Sequence, residues 1–332
     1  MQVYRSLDEI PFDANSVVTL GTFDGVHRGH RALLDRLNAR AEALNARAVV
    51  ATFNPHPQLV LKRNGVPPLR ILSTLEERLE LLERHGVANV LVIEFTEEFA
   101  QLEAETFLTR YLLDGIGCRH MIVGHDHNFG KNRRGDLELL TRLSAERGFE
   151  VERVEARMAD MESISSTRIR TLLADGQVQD AAALLGYNYG VRGTVIAGDG
   201  RGRTIGLPTA NIKPDDVHKL LPGNGVYCVA AEIPVTNKKG FKAAAIEEKS
   251  GATVYGMANI GTRPTFTDDT AAVLEVHLFD WEKMIYNEIV GISFLKFIRK
   301  ERKFASLDSF LSQIDADRRE CSGYVEQLRA AI

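Results

Sequence analysis

Leu20-Gly21-Thr22-Phe23-Asp24-Gly25-Val26-His27-Arg28-Gly29-His30 decides how this chain is read. Before it stands Val17-Val18-Thr19, a β-branched run with strand character. After it Leu33, Leu34, Leu37, Ala41 and Leu44 recur at helical spacing. The glycines and histidines therefore occupy a strand-to-helix turn. In a parallel α/β sheet that turn lies at the carboxyl edge, where ligands bind. A helix N-terminus offers unpaired N–H groups and partial positive charge, which suits phosphate. Gly21, Gly25 and Gly29 let backbone approach a ligand closely. His27 and His30, three apart, share a face in a helical first turn. Taken alone, the pair also fits surface residues or half a zinc site, although no third ligand cluster is evident.

Composition narrows the classes. The chain has 332 residues, 44% hydrophobic and 26% charged, with a formal net charge of −4. That length suits two cores. The charge gives no push toward nucleic acid or an anionic membrane. Cys118, Cys228 and Cys321 lie far apart without a CxxC pair, which points to reduced thiols in the cytoplasm. Met1 to Pro11 is acidic and mixed, unlike a signal peptide. No apolar run approaches the roughly 20 residues of a membrane span. Nothing in the chain specifies an oligomeric state.

Strands and helices alternate through the first half. Arg47–Phe53, Asn89–Phe95, Arg119–Gly124 and Phe149–Glu155 read as further strands. Ser73 with Glu76 forms a capping box ahead of Leu75, Leu79 and Leu82, and that helix ends near Gly86. Thr106–Leu113 is helical up to Gly115, and Leu137–Arg147 is helical. This rhythm predicts a doubly wound parallel sheet. Three loops follow strands: Thr52-Phe53-Asn54-Pro55-His56-Pro57, then Gly124 to Gly135 with Asp126, His127 and Lys131, then Ile164-Ser165-Ser166-Thr167-Arg168. The first reads as a stiff turn. The second suits either phosphate recognition or a solvated surface. In the third, Ser165 or Ser166 is an N-cap, and Arg168 is a cation opposing the helix dipole unless an anion binds there.

These strings, in this order, resemble the HxGH nucleotidyltransferases in the form GxFDGxHxGH, followed by TFxPHP, GxDFxFG and SSTxIR. That combination is specific to the flavin adenylyltransferase branch. His127 stands where the branch has Phe. The resemblance implies that His27, His30 and Arg168 act on the ATP phosphates as pyrophosphate leaves. It implies nucleotide and flavin contacts from Gly21, Phe23, Asp24, Gly25, Gly29, Asn54, Asp126, Ser165, Ser166 and Thr167.

Beyond Gly186 the helical period gives way to short strands: Gly190–Ile196, Val226–Glu232, Thr253–Ile260, Ala272–Phe279 and Val290–Ile298. They predict a small antiparallel barrel, closed by helical residues from Ser306 to Ala331. The change divides the chain into residues 1–186 and 187–332. Gly198, Gly200, Gly202 and Gly206, with Arg203 among them, form a loop able to wrap phosphate through backbone N–H groups, or a plain Gly-rich hairpin. There is no Walker pattern. Thr209 and Asn211 lie two apart on an extended segment, so their oxygens face one side and suit a magnesium shell completed by phosphates. Alternation places Leu274, Val276 and Leu278 on one face and Glu275 on the other.

GxxxGRxxGxPTAN, NIGxRPTF (Asn259 to Phe266) and ExHLxDW (Glu275 to Trp281) occur in order and resemble riboflavin kinases. Leu207 replaces the usual aromatic. The resemblance implies that Thr209 and Asn211 hold Mg²⁺ and nucleotide. It also implies that Glu275 accepts the ribityl hydroxyl proton, with Gly198, Gly202, Arg203 and Gly206 around the nucleotide. From Thr19 to about Phe304 the chain is similar to the bifunctional family that makes FMN from riboflavin and ATP, then FAD from FMN and ATP. Those small molecules are its expected partners, with no nucleic acid and no membrane.

Overall fold

The computed structural model describes residues 1–61, 65, 67–125, 128–155, 157–159, 162–198, 206–234, 251–262 and 272–330. Contacts divide the chain into two units, Met1–Ser166 and Thr167–Ile332.

Six strands of the first unit form one parallel sheet: β1 (Gln2–Tyr4), β2 (Ser16–Leu20), β3 (Arg47–Asn54), β4 (Asn89–Glu94), β5 (Cys118–Gly124) and β6 (Glu150–Val154). Their order is β1-β4-β3-β2-β5-β6. From β2 the chain winds outward through β3 and β4. It then returns to lay β5 and β6 on the other side. The winding reverses between β2 and β5, and in such sheets the crevice at the carboxyl ends there is the ligand site. β2 is buried at all five positions, so both sheet faces are covered. On one face Val18, Leu20, Val49, Ala51 and Leu91 pack with Phe107, Leu108, Leu112 and Leu140. Each fully buried leucine contributes about 1.5–3 kcal/mol.

The helices of this unit are α1 (Arg28–Ala43), α2 (Pro57–Val60), α3 (Leu75–Arg84), α4 (Ala104–Phe107) and α5 (Leu137–Arg147). α1 buries Leu34, Leu37 and Ala41 of its apolar stripe. A short ribbon pairs β7 (Met158–Ala159) with β8 (Glu162–Ser163). Two expectations shift. The capping box is Thr74 with Glu77, not Ser73 with Glu76: Thr74 Oγ1 accepts from Glu77 N at 3.2 Å, and Thr74 N donates to Glu77 Oε2 at 2.9 Å. Nor does the helix after α4 stop at Gly115. It continues with π-helical winding through Ile116 and ends at Gly117, whose φ of 87° is the left-handed conformation glycine adopts freely.

The second unit opens with α6 (Ser166–Ala174, its first residue in the first unit) and α7 (Val178–Leu185). α7 packs on the barrel strand β14. The barrel is closed and antiparallel, in the order β10-β13-β12-β11-β14-β9. Its strands are β9 (Gly190–Ile196), β10 (Ala210–Pro214), β11 (Gly225–Pro234), β12 (Gly251–Thr262), β13 (Ala272–Leu278) and β14 (Ile289–Arg299). β10 is the strand that the periodicity did not show. Val195, Ile212, Leu274 and Ile260 stand in register across four strands, each at most 4% exposed, and fill the interior. The outer faces of β11, β12 and β14 present Cys228, Met257 and Leu295 to Cys321 and Val325 of α8 (Leu307–Ala330). Arg299 at the end of β14 meets the buried Asp317 of α8 through Nε and Nη2, at 2.8–3.0 Å. Cys118, Cys228 and Cys321 are buried and unbridged. Among the described residues no helix is long and apolar enough to cross a membrane.

One ionic network joins α1 to the sheet. Glu152 of β6 accepts from Arg36, from Arg40 Nη2 at 2.7 Å, and lies 3.3 Å from His120 Nε2. Partial burial pushes its carboxyl up, but the hydrogen bonds from Arg36 and Arg40 outweigh this and hold it down at about 2, against an ordinary 4.5. A lowered folded value means stability that is present above 4.5 and lost as pH falls through 2. Glu152→Gln should therefore lower the Tm at pH 7 by about 2–4 °C. It should also remove part of the acid-induced loss between those two values. Parallel thermal melts of both proteins across that range, with unchanged acid sensitivity in the variant, would discard the network as a stabiliser.

Candidate functional site

The turn from β2 to α1 lies at the reversal of the sheet. His27 caps α1, accepting the His30 N–H at Nδ1 over 3.3 Å. An accepting Nδ1 places the His27 proton on Nε2. The two imidazoles stack, with centroids 3.7 Å apart and planes at 15°. Burial, and after it the neighbouring His27 and Arg78, hold His30 well below the ordinary imidazole range, so it is neutral at pH 7. Gly29 gives the stack room: a Cβ there would sit 3.1 Å from the His27 ring and 3.3 Å from Ile164 O, so the ring would have to give by a few tenths of an ångström.

The turn itself is strained. Phe23 and Val26 are fully buried at φ of 48° and 33°, flanking Gly25 at 78°. Non-glycine residues in that region cost on the order of 1–3 kcal/mol and persist only where surroundings enforce them. Asp24 does so here. It is 2% exposed, and its carboxylate accepts from Leu72 N at 3.0 Å, Ser73 N at 2.9 Å and Ser73 Oγ at 3.2 Å. Ser73 Oγ in turn accepts from Gly25 N at 2.9 Å, and Asp24 O accepts from Ser166 Oγ at 2.9 Å. The Phe23 ring lies 5.1 Å from that of His30 and packs against Gly21.

Asn54 ends β3 beside this turn, and its carbonyl accepts from Phe95 N at 3.1 Å. Ser165 precedes α6, which starts at Ser166, with exposed Thr167 and half-buried Arg168 in its first turn. Asp126 and His127 lie outside the described residues. The structure thus brings His27, His30, Gly21, Phe23, Asp24, Gly25, Gly29 and Ser166 together. Ser73, read from the sequence only as a helix cap, and Arg78, not singled out there, also back this turn. Their signal was two cap-competent residues, Ser73-Thr74, opening a helix whose arginine sits among its leucines.

On the barrel the register is decisive. One position along from the interior row, Ile196, Asn211, Glu275 and Asn259 pair across the same four strands. Side chains alternate along a strand, so this row faces away from the barrel core. Leu274, Val276 and Leu278 are at most 8% exposed, while Glu275 is half-buried. Glu275 is thus flanked by two amides, from Asn211 and Asn259. Asn259 Nδ2 donates to Glu301 Oε1 at 3.1 Å. Asn259 carries a strand-register signal beside Glu275, whereas Glu301, past the end of β14, carries none. Thr209 is exposed immediately before β10, and Asn211 is 7% exposed within it. His277 Nδ1 donates to Pro208 O at 2.9 Å and fixes the approach to Thr209. A side chain at Gly198 would collide with the Asn211 amide. Gly206 is exposed at φ 76°. Gly202 and Arg203 lie outside the described residues, as do 235–250 and 263–271. Among the described residues no cluster of three or more His, Cys, Asp or Glu could hold a metal. The neutral oxygens of Thr209 and Asn211 match a hard cation that takes the rest of its shell from phosphate.

Comparison with known proteins bears on both units. A family model described as FAD synthetase matches residues 9–168, and one described as Riboflavin kinase matches 185–325. The Bifunctional riboflavin kinase/FMN adenylyltransferase of Listeria monocytogenes is 36% identical over 316 residues, covering 95% of this chain and 94% of that protein. The protein of that name in Escherichia coli K12 is 38% identical over 301 residues, covering 91% and 90%. A crystal structure described as a Macrolide-efflux Protein from Streptococcus pneumoniae is 33% identical with a TM-score of 0.82, covering 96% of this chain and 97% of that one. With both halves matched and more than nine-tenths of each relative aligned, the chain belongs to the bifunctional riboflavin kinase/FMN adenylyltransferase family.

Proposed function

We infer that this chain performs two successive ATP-dependent steps, the barrel unit phosphorylating riboflavin to FMN and the sheet unit joining AMP to FMN. Residues 1–186 are assigned to the adenylyl transfer and 187–332 to the kinase. The observation that carries the reading is a pair of separate constellations: the stacked His27–His30 pair at the sheet reversal, and Glu275 between two amides on the barrel.

In the kinase step a ribityl hydroxyl attacks the γ-phosphorus of ATP, its proton passes to Glu275, and ADP leaves. The hydroxyl is a weak nucleophile at neutral pH, so a carboxylate in reach orients and deprotonates it. Asn211 and Asn259 stand on either side of Glu275 in its row. Thr209 and Asn211 hold Mg²⁺, which neutralises phosphate charge when bound. Gly198, Gly202, Arg203 and Gly206 contact the nucleotide. In the second step a phosphate oxygen of FMN attacks the α-phosphorus of a second ATP, and pyrophosphate leaves. No protein nucleophile is needed. His27 and His30 act as donors to the charge that grows on the leaving group, with Arg168, Ser165, Ser166 and Thr167 on the same phosphates. Asp24 shapes the turn, Asn54 and Asp126 contribute ligand contacts, and Gly21, Phe23, Gly25 and Gly29 let the backbone approach. The buried, unbridged thiols fit a reducing cytoplasm.

The two sites predict separable losses. His30→Ala should lower kcat for FAD formation from supplied FMN by on the order of 100-fold and leave FMN formation nearly intact. Glu275→Gln keeps shape and hydrogen bonding, so FMN formation should fall by roughly 10²–10⁴ while supplied FMN still becomes FAD. Both activities are assayed on each purified variant. Equal loss of both activities in His30→Ala, or near-normal FMN production by Glu275→Gln, removes that residue from its assigned role.

A further inference from the structure

Arg78 lies behind the β2–α1 turn, on the second turn of α3, and is 3% exposed. Its position is set by two hydrogen bonds from Nη1, to Thr22 O at 2.6 Å and to Thr52 Oγ1 at 3.3 Å. Thr52 Oγ1 also donates to Thr22 O, at 3.3 Å. The guanidinium thus joins the carboxyl end of β2 to that of β3, beside the turn that carries the histidines.

Its charge is the unusual part. Burial pulls the guanidinium down to about 10, opposed by the carboxylates of Asp24 and Glu76, so it remains charged at neutral pH. Among the described residues no carboxylate lies within ion-pair distance of it. Asp24 directs its carboxylate to Leu72 and Ser73. Arg78 Nε is buried with no hydrogen-bond partner, and so is Nδ1 of His30. Buried cations are normally paired, because leaving water is costly and only a partner charge offsets it. A cation left without that pairing directly behind an anion-binding turn is matched when the anion arrives. His30 is neutral at pH 7, so it supplies no standing charge.

We propose that Arg78 is a positioning residue of the adenylyl-transfer site, fixing the Gly21–Thr22 turn and lending its buried positive charge to the polyphosphate of the incoming nucleotide. This rests on the reading that the sheet unit transfers AMP. A purely structural arginine would affect stability and nothing else. A positioning cation affects turnover and the binding of polyphosphate itself.

The test uses the full chain and inorganic pyrophosphate as the probe. Arg78→Met should lower kcat for FAD formation by on the order of 100-fold. Pyrophosphate binding, measured by calorimetry, should weaken at least about tenfold, the sign of a lost charge contact. Arg78→Lys keeps the charge and loses the fork, so it should recover most of the binding and part of the turnover. Conversion of riboflavin to FMN in the same samples should stay at the wild-type rate, which shows that the barrel unit is intact, and a retained cooperative thermal transition of the sheet unit shows that the unit carrying Arg78 is folded. If Arg78→Met does not fold, Arg78→Gln against Arg78→Lys makes the same comparison. A lowered Tm with turnover and pyrophosphate binding within twofold of wild type overturns the proposal. So does equal weakening of pyrophosphate binding in the Lys and Met variants. Wild-type FAD formation from FMN and ATP tests the underlying reading separately: its absence sinks that reading whatever Arg78 does.

Discussion

The buried carboxylate of Asp24 is the constraint on which the sheet unit depends. Two backbone N–H groups and a hydroxyl converge on it, and its own carbonyl holds Ser166. Through that one residue, three segments that are far apart in the chain meet at the carboxyl edge: the β2–α1 turn, the lead into α3, and the start of α6. The positive φ angles of Phe23 and Val26 are affordable only inside such a clamp. The clamp delivers the geometry above it, in which His27 caps α1 and His30 stacks on it at the point where the winding of the sheet reverses. A helix N-terminus, two stacked imidazoles and a buried arginine are then set before any ligand arrives. That preorganisation is what phosphoryl chemistry demands of a protein.

The barrel reaches a comparable end by a different route. Its interior row, Val195, Ile212, Leu274 and Ile260, closes the core. One residue along, the same register produces the outward row that contains Asn211, Glu275 and Asn259. A slip of one residue in β13 would turn Glu275 into the core and Leu274 out. Core packing therefore fixes the placement of the carboxylate, and burial of Leu274 at 0% exposure keeps the register firm.

Much of this was legible in the sequence because its signals are local. The β-branched run before Gly21 and the leucine stripe after it specify a strand, a turn and a helix without reference to anything distant. Alternation around Glu275 likewise told its face. What was not legible depends on long-range partners. β1 has three residues, one exposed and two half-buried, so its pairing with β4 leaves no period to read. β10 is short and carries Asn211 and Lys213, and its identity as a strand comes from β9 and β13 on either side. The capping box moved by one residue because both Ser73 and Thr74 can cap, and a carboxylate far away in sequence engages Ser73. Arg78 shares the helical spacing of Leu75, Leu79 and Leu82, a charge on the apolar stripe whose reason shows only when Thr22 and Thr52 are seen against it.

The central claim is that one chain moves two different phosphorus atoms of ATP, in two separate places. The most direct measurement supplies the purified full chain with riboflavin, Mg²⁺ and ATP labelled at either the α- or the γ-phosphorus, and follows the label in the separated flavins. The account predicts that FMN is labelled by γ-labelled ATP and not by α-labelled ATP, and that FAD is labelled by both. FMN that takes up α label, or FAD that stays unlabelled in either experiment, would contradict it.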